Sequence, residues 1–79
     1  MRLDKFLKVS RLIKRRTRAN EACDAGRIMV NGVVAKASLK LKVGDVIEIQ
    51  LGTRSVKVEV LQLLDTTKKE DAETMYKYI

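Results

Sequence analysis

Eight basic side chains fall within the first eighteen residues: Arg2, Lys5, Lys8, Arg11, Lys14, Arg15, Arg16 and Arg18. Five of them are arginines, whose planar forks grip phosphate oxygens two at a time. The chemistry open to such a set is recognition of a polyanion rather than bond breaking. Residues 1–36 carry ten Lys/Arg against three Asp/Glu, whereas residues 37–79 carry seven of each. The whole net charge of +7 therefore sits in the first half of the chain. A merely solvated basic surface would spread its charge, so the asymmetry favours one anion-binding face. Catalysis finds little support. There is no histidine, and the single cysteine, Cys23, lies in a small-residue pattern with no base to activate it. The four glycines are isolated turn residues, not a phosphate loop. One cysteine forms no internal disulfide, and the acidic residues lack the spacing of a cation-binding loop. The expectation is a non-enzyme without metal or cofactor. Asp4 reads as a favourable charge at the start of a helix.

The elements that must position these side chains are legible in outline. Leu3, Phe6 and Leu7 recur at i, i+3 and i+4, which predicts an amphipathic helix over 2–10 with Arg2, Lys5 and Lys8 off the apolar stripe. Residues 11–16 read as a connector under which Leu12 and Ile13 tuck. Thr17 reads as the N-cap of a second helix that runs to about Ala25. Its stripe of small side chains, Ala19, Ala22 and Cys23, is expected against Leu3, Phe6 and Leu7. Gly26 suits the left-handed position just past a helix end. The first turn of this helix adds free N–H groups to the arginine cluster, which makes one phosphate-gripping corner.

Beyond Gly26 the pattern changes to extended chain. Ile28 and Val30 lead into Asn31-Gly32, a strong hairpin signal, and Val33 and Val34 follow. Turns at Gly44-Asp45 and Gly52-Thr53 frame a strand through Val46, Ile47, Ile49 and Leu51. Val56, Val58 and Val60 alternate with Lys57 and Glu59 in another. Residues 65–79 read as a loose tail or a short helix opening near Thr66 or Thr67. The fold class is α+β, with two N-terminal helices packed on a small, mostly antiparallel sheet and a short C-terminal helix or tail. A chain of 79 residues makes one modest core.

Aromatic residues are scarce, so stacking on single strands is not expected to be central; backbone and shape readout of structured RNA fits better. A helix-turn-helix DNA binder is the competing reading, but the second helix offers Glu21 and Asp24 among its polar residues. No apolar run approaches the roughly 20 residues of a membrane span, and the charged N-terminus does not read as a signal peptide. A cytoplasmic protein is the expectation.

Several short motifs in a fixed order carry a family resemblance: RLDKFL at 2–7, RT-A at 16–19, G-I-VNG at 26–32, K-S at 36–38 and VGD-I at 43–47. Over about residues 1–50 the chain resembles the S-four RNA-binding domain, the module of ribosomal small-subunit protein four. The runs MRLDKFLKVSRLIKRRT and DTTKKE resemble the free-standing RqcP (YabO) proteins of Firmicutes, relatives of the proteobacterial heat-shock ribosome-recycling protein. The resemblance implies an S-four-type domain over 1–64, with 65–79 as tail or short helix. It implies a factor of ribosome-associated quality control that binds large-subunit rRNA and peptidyl-tRNA. Such a factor steadies the P-site tRNA while the RqcH protein directs alanine tailing on the obstructed subunit. The sequence suggests no extended apolar interface, so a monomer is the expectation. Arg2 and Arg16 are then the foremost RNA contacts, with Lys5, Lys8, Arg11, Lys14, Arg15 and Arg18 around them. Asn31 on the turn and Lys36 on the strand after it approach the same groove. An accessory RNA-binding module in ribosome assembly, or one detached from an RNA-modifying enzyme, is the alternative within the same chemistry.

Overall fold

The computed structural model describes residues 1–65 and 68–79. The expected helix start near Thr66 or Thr67 lies outside the described residues. Helix α1 (Leu3–Val9) follows from its apolar stripe, and Leu3, Phe6 and Leu7 are wholly buried. Its opening N–H groups, which no helical carbonyl can satisfy, are taken up by a loop later in the chain. Leu3 N–H donates to the Leu39 carbonyl at 2.8 Å, and Asp4 N–H donates to that of Ala37 at 3.1 Å. An isolated bridge between Arg2 and Lys40 and a bond from Leu41 N–H to the Met1 carbonyl fasten the N-terminus further. The chain's first residues are therefore built into the domain. Arg11 ends this helix with φ of 63°, the left-handed conformation that glycine more often supplies.

Helix α2 (Arg16–Asp24) begins one residue before the expected cap. Arg15 holds the extended N-cap conformation and makes no side-chain capping bond, so Thr17 sits inside the first turn instead of capping it. The start of this helix is fixed across the fold, by contacts of Arg16 and Asn20 described below. Ala19 and Cys23 are buried against the core as expected, whereas Ala22 is half-buried at its margin.

Among the described residues, five antiparallel strands form one sheet: β1 (Ile28–Val30), β2 (Val33–Val34), β3 (Val46–Leu51), β4 (Arg54–Val60) and β5 (Tyr76–Tyr78), in the order β2-β1-β3-β4-β5. Asn31 and Gly32 both take positive φ, 54° and 82°, as a tight hairpin turn requires. The period of two puts Ile28, Val30, Ile47, Ile49, Val58 and Val60 on the buried face. The other face carries charges in cross-strand pairs, Lys57 with Glu48 at 3.9 Å and Lys77 with Glu59 at 3.7 Å.

The C-terminal segment goes beyond the tail or short helix expected for it. A four-residue helix, α3 (Lys69–Ala72), precedes β5, which pairs with β4 in the register Val58–Tyr78, Glu59–Lys77 and Val60–Tyr76. Ala72 and Met75 are buried, Met75 completely.

Candidate nucleic-acid interface

The centre of the basic corner is an acid. Asp4 is 1% exposed, and its two carboxylate oxygens accept from four residues. Arg2 donates through Nε to Oδ1 at 3.2 Å and through Nη2 to Oδ2 at 3.3 Å. Arg16 donates through Nε to Oδ2 at 3.1 Å and through Nη2 to Oδ1 at 3.3 Å. Asn20 Nδ2 reaches Oδ2 at 3.0 Å and also donates to the Arg16 carbonyl at 3.0 Å. The Lys5 backbone N–H completes the set at 2.8 Å from Oδ1. The start of α1 and the first turn of α2 are thus joined through one buried carboxylate that two guanidinium groups grip bidentately.

Burial is the largest influence on Asp4 and pushes its pKa up. The bonds from Arg16, Asn20, Arg2 and the Lys5 N–H together outweigh it and bring the value down from 3.8 to about 2. The folded value is the lower one, so the stabilisation is complete above pH 3.8 and is lost as pH falls through about 2. A shift of this size corresponds to about 2 kcal/mol, and half-exposed arginine partners reduce it to on the order of 1–2 kcal/mol. Urea denaturation between pH 5 and pH 2 is expected to show this loss, and an Asp4→Asn variant to lack that share of the acid slope. Identical slopes in the two proteins would contradict the assignment.

The other expected contacts fall into separate groups. Lys8, Arg11 and Lys14 line a basic cavity of about 240 Å³ with Val9. Lys5 is half-buried, and its ammonium pairs with Asp65 at 3.0 Å. Arg15 is exposed just ahead of α2. Arg18 is exposed beside Glu21 at 3.8 Å, and with Ala22, Ala25 and Arg27 the two line a separate depression along α2. The side chain of Asn31 is occupied within the fold. Its Nδ2 donates to Asp45 at 3.2 Å, and its Oδ1 accepts from the Val46 N–H at 3.0 Å. Lys36 is exposed, in the loop after β2 rather than on a strand, at the rim of an apolar groove with Val33, Val34 and Leu39. Arg2 and Arg16 are brought together on one shared carboxylate.

Sequence reasoning overlooked the parts of Asp4 and Asn20. A signal was present: Asp4 is the lone acid among eight bases in residues 1–18, and it borders the apolar stripe of Leu3 and Leu7. A carboxylate in that position is buried with the helix and must be paired. Cys23 matches its structural reading. Burial first, then the charges of Asp4 and Asp24, push its thiol up to about 11, which keeps it protonated and unreactive. Among the described residues no cluster of His, Cys, Asp or Glu is arranged to hold a metal ion, and no helix is long and apolar enough to cross a membrane.

Two short helices backed by an antiparallel sheet, with arginines gathered where the helices meet, define a small α+β module of the kind that grips a nucleic-acid backbone. The family model of the S4 domain matches residues 1–47, and the chain belongs to that family. It is 60% identical over 79 residues to the RQC P-site tRNA stabilizing factor of Streptococcus pneumoniae, a match covering 100% of this chain and 90% of that protein. The factor of the same name from Bacillus subtilis is 60% identical over 76 residues, covering 96% of this chain and 88% of the relative. Among solved structures, Heat Shock Protein 15 of Vibrio cholerae superimposes with a TM-score of 0.92 at 26% identity, covering 100% of this chain and 81% of that one.

Proposed function

We propose that this protein is a non-catalytic RNA-binding factor of ribosome-associated quality control. It binds the large ribosomal subunit obstructed with peptidyl-tRNA and holds the tRNA in its P-site position while alanines are added to the stalled chain with the RqcH protein. It acts in the cytoplasm, as a monomer, through contacts to rRNA and tRNA. The observation that carries this reading is the pairing of Arg2 and Arg16 at the junction of α1 and α2, both half-exposed, in a chain so similar over nearly its whole length to factors named for that role. Lys8, Arg11, Lys14, Arg15 and Arg18 extend the cationic surface along the same helices and their connector. Lys5 joins it in part, because its ammonium already has a carboxylate partner. Lys36 can meet RNA at the rim of its groove, whereas Asn31 supports the hairpin. A DNA-binding recognition helix is disfavoured, because α2 exposes Glu21 and Asp24.

Co-sedimentation with purified large subunits carrying peptidyl-tRNA, over a range of salt concentrations, tests the reading. If about five to seven basic residues neutralise phosphates, log K is expected to fall against log salt with a slope on the order of −3 to −6. Binding that ignores salt, or equal retention on duplex DNA, would contradict it.

A further inference from the structure

We propose that Asp4 is a positioning residue for RNA binding: its buried carboxylate sets the direction of the Arg2 and Arg16 forks so that both face a single phosphate path. The inference rests on the RNA-binding reading above. In both arginines the edge formed by Nε and Nη2 faces Asp4. A guanidinium is planar with five N–H groups, so an edge committed to one carboxylate leaves the Nη1 side turned the other way. Both side chains remain half-exposed, at 50% and 47%. The carboxylate is itself held in place by Asn20 and the Lys5 N–H, neither of which depends on an outside ligand. Two long side chains that would otherwise sample many rotamers are therefore ordered before RNA arrives, which lowers the entropic cost of association. A negative charge in the middle of an RNA-binding corner is unfavourable by Coulomb's law alone. It becomes useful when orientation matters more than total charge.

That opposition gives a test in which the two ideas predict opposite signs. Asp4→Asn raises the net charge by one and keeps the shape of the side chain. If only charge counted, binding to large subunits carrying peptidyl-tRNA would tighten. Positioning predicts that it weakens by about tenfold, measured below the melting temperature of the variant. Asp24→Asn makes the same charge change on the exposed end of α2, away from both forks, and is expected to bind at least as tightly as wild type. Asn20→Ser removes one donor to Asp4 without altering net charge. Compared at a temperature where its melting curve shows it folded, it is expected to weaken binding about two- to fivefold, and it decides the matter if Asp4→Asn does not fold. Wild-type or tighter binding by folded Asp4→Asn, or wild-type binding by Asn20→Ser, would overturn the positioning role while leaving the RNA-binding reading intact. Failure of the wild-type protein itself to bind the subunits would overturn both.

Discussion

Arg2→Ala and Arg16→Ala are each expected to weaken binding to obstructed large subunits by roughly ten- to a hundredfold, because each removes a charge-assisted bond of about 1.5–3 kcal/mol. Both guanidinium groups lie where the helices meet and are half-exposed, so each can reach a phosphate while its other edge stays on Asp4. The same geometry gives each substitution a stability cost. Losing one arginine leaves the buried carboxylate with the other, Asn20 and the Lys5 N–H, a loss on the order of 1–2 kcal/mol. Losing both leaves a buried charge with two neutral donors, and the combined cost is expected to exceed the sum of the single ones. Binding must therefore be compared at a temperature where melting curves show each variant folded. Lys57→Ala is the control, because Lys57 pairs with Glu48 on the outer face of the sheet and is expected to have little effect. In cells, the two arginine variants are expected to shorten the alanine tails on stalled chains. Wild-type binding and tailing in both, with a defect in Lys57→Ala, would move the RNA site to the sheet.

Met75→Ala is expected to be the most destabilising of the apolar substitutions near the C-terminus, at about 2–5 kcal/mol. Met75 is wholly buried, directly before β5, and its carbonyl accepts from the N–H groups of Leu61 and Gln62 at 2.8 and 3.2 Å. The side chain anchors the strand that closes one edge of the sheet, where Tyr76 and Tyr78 meet edge to face with ring centres 5.5 Å apart. A small domain has a total stability of only about 5–15 kcal/mol, so this one truncation threatens the whole fold. Urea denaturation reads the loss directly. A change below about 0.5 kcal/mol would mean that the C-terminal segment is an appendage and not part of the core.

Elements whose cause is local were legible in the sequence. Leu3, Phe6 and Leu7 define one helix face, Asn31-Gly32 defines a hairpin, and the alternation through Val58 and Val60 defines a strand. What escaped reading depends on partners distant in the chain. Tyr76–Tyr78 is three residues long and follows a polar run, so no period is established; it is a strand because β4 offers an open edge. The stretch after the hairpin reads as strand at Lys36, yet 35–41 is a loop whose Ala37 and Leu39 carbonyls satisfy the opening N–H groups of α1 and which bridges to Arg2 at Lys40. Thr17 has the chemistry of a cap, but the bonds of Arg16 and Asn20 to Asp4 set where α2 begins. The charge asymmetry points to the half of the chain that holds the α1–α2 junction and does not separate the two arginines that share a carboxylate from the cations spread around them.

Ultraviolet crosslinking of the wild-type protein on large subunits carrying peptidyl-tRNA, followed by mapping of the nucleotide-modified peptides, tests the central claim most directly. Crosslinks are expected within residues 2–18, on the peptides that carry Arg2 and Arg16, with both rRNA and tRNA nucleotides attached. Crosslinks confined to the outer face of the sheet, around Glu48, Lys57 and Lys77, would contradict the account.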